Sequence, residues 1–271
     1  MASVVVFCER TPYGLHPASR MALCVARDLG TRRGATVVAL CEGDGGDFDA
    51  IIERQCGAAG ADQLVFSGPD GLRRTAERLT ARHIMVGWTP AGETALAHAK
   101  IPSVERLWIN GSLGPLEVPA VVGIVAGSLP WHEFPNTIDG DYEGNAGEVP
   151  MPEWIAQLGG KPHEPEGLRF VAPDGLTGPI PTKLEVLGAE RVDPSYADRH
   201  DDGTLLWLAG AGEGLPPSLA ERPPTARVIA LPGPDPDFDD SWKLADWVLT
   251  GAWGTVVAQL GSPAWKKAIF G

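Results

Sequence analysis

Gly87, Thr89, Gly92 and Thr94 lie close together in "GWTPAGETALAHA", between a β-branched run and an alanine-rich one. That order gives a strand end, a turn and a helix start. A helix start presents free backbone N–H groups, and glycine lets an anion approach them, so the four residues form a candidate phosphate cradle. Glu93 opposes that reading, and the turn holds no Lys or Arg. The alternative is a capped corner in which Glu93 favours the helix dipole. "ERTPYGLHPAS" ends the first apolar run and offers Arg10, His16 and Ser19 as a second wall. Its plainer reading is a β-turn at Tyr13-Gly14 followed by a helix.

Other constellations are poorer. "LAGAGEG" places Gly210, Gly212 and Gly214 after a strand-like run, but the third glycine of a dinucleotide fingerprint falls on Leu215. The following "LPPS" also delays any helix. Asp235, Asp237 and Asp239 have calcium-loop spacing, yet Asp240 stands where that loop turns on glycine. Aspartates before an apolar segment, Asp246 included, are expected to cap it. His132, Glu133, His163 and Glu164 sit in Pro-rich surface sequence, and no metal site is expected. No Gly-x-Ser-x-Gly elbow and no Walker loop is present. Cys8, Cys24, Cys41 and Cys56 form no CxxC pair, and Cys8 and Cys41 fall in strand-like runs, so buried free thiols are expected.

The elements that position these residues alternate. "SVVVF", "ATVVALCEG", "DQLVFSG" and "HIMVGWT" read as strands. "PASRMALCVARDLG", stopping at Gly30, "DFDAIIERQCGAAGA" and "DGLRRTAERLTAR" read as helices between them. "SVERLWIN" and "PAVVGIVAG" add strands. The expected fold is α/β, a Rossmann-like parallel sheet with helices on both faces, over residues 1–127. Its first and fourth strands flank a switch point. Residues 128–167 form a Pro/Gly-rich connection. Residues 168–271 form a smaller appended α/β unit, with "DDSWKLADWVLTGAWGTVVAQLG" expected as a Trp-rich final helix that is apolar on most sides.

Three stretches of the first part, "LHPASRMALCVARDLG", "AGADQLVFSG" and "GWTPAGETALAHA", resemble the N-terminal domain of the electron-transfer flavoprotein alpha subunit. The resemblance covers residues 1–127. It implies a fold shared with adenine-nucleotide-binding proteins, and AMP, or FAD shared with a partner, as cofactor. In that family the FAD sits mainly on the C-terminal domain, whose Ser/Arg-containing glycine signature and Gln-His pair are missing from residues 168–271 here.

The 271 residues carry a net charge of −13, which argues against nucleic-acid binding. No signal sequence is read at the start, and Gly251, Gly254, Gln259, Gly261 and Pro263 argue against a membrane span in Trp247–Trp265. A cytoplasmic location is expected. The reading is an electron-transfer-flavoprotein-like module, a subunit of a redox complex in which the chemistry belongs to a partner or a shared flavin. Arg10, Ser19, Gly87, Thr89, Gly92 and Thr94 would hold a cofactor, and a protein partner or second copy would dock on the Trp-rich helix. An adenine-nucleotide-dependent enzyme and an adaptor without ligand are the alternatives.

Overall fold

A computed structural model describes residues 3–43, 49–112, 119–127, 167–210 and 212–263. The connection expected at 128–167 lies, apart from Gly167, outside the described residues. The described residues fall into two compact units.

The first unit takes in residues 3–10, 14–107 and 123–127 of those described. Its strands are β1 (Ser3–Phe7), β4 (Thr36–Glu42), β5 (Gln63–Ser67) and β6 (His83–Gly87), ordered β5-β4-β1-β6 and all parallel. Between β1 and β4, β2 (Arg10–Thr11) pairs with β3 (Gly14–Leu15) around the expected turn. β1 adjoins β6, as Val4 lies in register with His83, so the first and fourth strands of the alternation are neighbours. β7 (Ser103–Ser112) and β8 (Pro119–Gly127) extend the sheet. Ile84 pairs with Gly127 antiparallel, which makes the sheet mixed rather than wholly parallel.

Val4, Val5 and Val6 have no exposed surface. β-branched side chains on both pleats suit a strand covered on both sides. Helices α1 (Pro17–Arg33), α2 (Asp49–Ala58), α3 (Gly71–Arg78) and α4 (Pro90–His98) supply the cover. α1 buries Ala18, Ala22, Ala26 and Gly30 at four-residue spacing, a narrow stripe of small side chains that lets it lie close to β1 and β6. Gly30 is not the stop. The helix runs on to Gly34, whose φ of 60° is the left-handed cap and whose N–H donates to the Gly30 carbonyl.

The second unit contains five parallel strands: β9 (Leu168–Val171), β10 (Ala189–Arg191), β11 (Gly203–Leu208), β12 (Ala226–Gly233) and β13 (Trp247–Thr250). Their order is β10-β9-β11-β12-β13. In chain order this is 2-1-3-4-5, a doubly wound arrangement whose switch point lies between β9 and β11. α5 (Pro179–Val186) and α6 (Trp253–Leu260) pack on each other. Trp207, Val228, Ala230, Trp242 and Val248 build one apolar core.

The single Trp-rich helix expected at the end is not formed. Asp239 caps a 3-10 turn over Asp240–Leu244, β13 follows, and only Trp253–Leu260 is helical. β13 is buried along its whole length and pairs Trp247 with Ile229 and Val248 with Ala230. A segment apolar on all sides fits a covered strand as well as a covered helix, and the sheet neighbour decides. Trp242 and Trp247 are thereby spent in the interior.

Candidate functional site

In the first unit the expected cradle is a corner closed by its own side chains. Thr89 caps α4: its Oγ1 accepts from the Gly92 N–H at 2.9 Å and donates to Glu9 Oε2 at 2.7 Å. Glu9 follows β1, and its N–H donates to Ser19 Oγ at 2.9 Å in the first turn of α1. The Glu9 carboxylate therefore lies against the capping residue of α4, while its backbone N–H is tied to the first turn of α1. Gly87 and Gly92 are required by packing. A Cβ on Gly87 would lie 2.7 Å from Ala18 Cβ, and one on Gly92 only 2.1 Å from the Gly87 carbonyl oxygen.

Of the six expected contact residues, Ser19 and Thr89 meet at Glu9, and Gly87 and Gly92 hold the corner tight. The other two turn elsewhere. Thr94 is exposed and donates to the Pro90 carbonyl at 2.8 Å. Arg10 donates to the Glu42 carbonyl at 3.3 Å and stands 5.6 Å from the Phe66 ring centre. His16 caps α1, with Nδ1 accepting from the Ala18 N–H at 3.1 Å. Glu93 accepts from Trp88 Nε1 at 3.3 Å and pairs with Arg106 at 3.5 Å. Glu9 escaped the sequence reading, although an acid directly after the first strand was a usable signal.

The second unit carries open volume at the carboxyl ends of its strands, the side on which ligands bind in doubly wound sheets. A crevice of about 530 Å³ lies at the switch point, between Val171 and Ala172 at the end of β9 and Leu208 of β11. An adjoining cavity of about 690 Å³ is bounded by Gly210, Gly233, Asp235, Trp253 and Gly254. Glu213, Gly214 and Asp239 line both. Both volumes lie in the range of small-molecule sites.

Local chemistry sets the walls. Glu213 Oε2 accepts from the Gly210 N–H at 2.8 Å and folds the glycine-rich turn back on itself. Asp239 Oδ1 accepts from the Ser241 N–H at 2.7 Å, and Ser241 Oγ accepts from the Leu215 N–H at 3.0 Å. Trp253 Nε1 donates to the Leu231 carbonyl at 2.8 Å, which fixes the indole at the end of β12. Ala252 precedes α6 without giving it a side-chain cap, and nothing lies within 4 Å of a Cβ placed on Gly254 in its first turn. The lining thus combines carboxylates, an indole and an uncapped helix start, with no Lys or Arg among its residues. The glycine turn and the aspartates were visible in the sequence as separate weak motifs, and only the sheet order gathers them. The chain itself is matched by no protein-family model and by no curated protein.

Proposed function

We propose that this protein is an electron-transfer-flavoprotein-like module of a redox complex, and that it holds the adenylate part of AMP, or of FAD shared with a partner, in its second unit. The single observation that carries this reading is the cavity of about 690 Å³ at the carboxyl ends of a 2-1-3-4-5 sheet. The lining suits the ribose and base of an adenylate, while its carboxylates work against the phosphate and leave a helix start as the group that favours it. Carboxylates such as Asp235 and Asp237 accept from ribose hydroxyls, the role an acidic residue plays in dinucleotide folds. The open N-terminus of α6 meets a phosphate. The Trp253 indole offers a face for the adenine. A bound flavin would supply electron transfer, while this chain's residues bind and orient. The corner built on Gly87, Thr89 and Gly92 then serves the fold of the first unit, with Glu9 already against its capping threonine.

Denaturing the purified protein and analysing the released small molecules by mass spectrometry tests this directly. Flavin or an adenine nucleotide is the expected finding. If nothing is released, AMP and FAD are titrated against tryptophan emission. A saturable change that is diminished in Trp253→Phe supports the reading, and no saturable change with either compound overturns it.

A further inference from the structure

Cys8, Cys41 and Cys56 are distant in sequence and belong to the end of β1, to β4 and to α2. The fold brings them together. Phe7 lies in register with Leu40, and the Cys8 N–H donates to the Leu40 carbonyl at 2.8 Å, so Cys8 continues the parallel ladder and stands opposite Cys41. Neighbouring strands are about 4.8 Å apart, and disulfides span Cα separations of about 4.4–6.8 Å. Cys56 reaches the same place from α2. Cys8 and Cys41 are neighbours across the ladder, and Cys56 comes near enough to both for the three thiols to bear on one another's ionisation. Their exposures are 1%, 0% and 1%, whereas the fourth cysteine, Cys24, is exposed.

The thiols are more than apolar filler, because Cys8 and Cys41 stand opposite each other on neighbouring strands and can join with little backbone movement. We propose that Cys8, Cys41 and Cys56 form an oxidisable triad, in which hydrogen peroxide converts two thiols into a disulfide within the first unit. One thiol attacks the peroxide and becomes a sulfenic acid with loss of water. A second thiol displaces the hydroxyl as another water, so two S–H bonds are exchanged for one S–S bond and the O–O bond is reduced. A bond to Cys56 fastens α2 to the sheet.

Burial sets the rate. The environment pushes the Cys8 thiol up chiefly by desolvation, and hydrogen bonding to Cys41 leads the causes that raise Cys56. The protonated thiol is a poor nucleophile, so the triad reacts only during local opening and stays reduced otherwise. This inference rests on the first unit alone and is independent of any ligand in the second.

The folded full-length protein is treated with hydrogen peroxide, alkylated under non-reducing denaturing conditions, and mapped by mass spectrometry. The expected product has lost two hydrogens in a disulfide between two of Cys8, Cys41 and Cys56, and has a raised unfolding temperature that dithiothreitol reverses. In Cys24→Ser the same bond forms, because the exposed thiol takes no part. Full alkylation of all three triad thiols, or disulfides that include Cys24, overturns the proposal.

Discussion

Thr89 makes two hydrogen bonds with one hydroxyl, and with 2% exposure neither is replaced by water. Removing the hydroxyl leaves the Gly92 N–H without its cap and takes from Glu9 the donor at its Oε2. Thr89→Val is therefore expected to lower stability by about 2 kcal/mol, the upper end for a lost cap, and Thr89→Ser by much less. Urea denaturation of both variants measures it; equal stability of Val and Ser would remove the hydroxyl from the argument. The same geometry makes substitutions at Gly92 uninformative about ligands, since any Cβ there meets backbone oxygen.

His200 is expected to make the second unit's stability depend on pH. It is 3% exposed, and its Nε2 contacts the Arg227 carbonyl at 3.1 Å. Burial holds its pKa below the ordinary value, and Arg222 and Arg169 push the same way, against the hydrogen bond to Arg227 and the charge of Asp246. A depressed folded-state pKa means that the unfolded chain binds the proton first. The stabilisation is present above about pH 6.5 and is lost as the pH falls through the folded value. The native protein should lose more stability between pH 7.5 and 5 than His200→Gln does. Parallel losses in a two-pH denaturation series would show that another group carries the dependence.

Among the elements, the terminal segment departs most from its sequence pattern. Trp253 now opens a helix of eight residues and bonds the end of β12. Trp253→Ala is expected to cost about 2 kcal/mol for a half-buried indole with one buried partner, at unchanged mass by light scattering. A fall in mass without lost stability would return Trp253 to a subunit interface. The first unit's elements were largely legible, because apolar strands alternate with helices whose apolar residues recur at helical spacing. The antiparallel β8 was not, since strand direction leaves no mark on composition.

For the whole molecule, charge governs how a ligand arrives. A net charge of −13 repels an anionic nucleotide at long range, and salt screens that repulsion while leaving short contacts in place. AMP affinity is expected to rise several-fold between about 20 and 150 mM salt, the reverse of a basic phosphate site. Tryptophan-emission titrations at the two ionic strengths test the sign, and a fall in affinity with salt would place an unrecognised cation at the site.

The α/β alternation, the starts of α1 and α4 and the acidity could be read from the chain without its structure. Each follows from local propensity, hydrophobic period or plain counting, which act over a few residues. What needed the tertiary structure is that Glu9 sits against the Thr89 cap, that Cys8 stands opposite Cys41, and that Gly210, Asp235 and Trp253 share a cavity wall. Strand order sets those meetings, and it is chosen by the packing of the sheet as a whole, which no short stretch of the chain records.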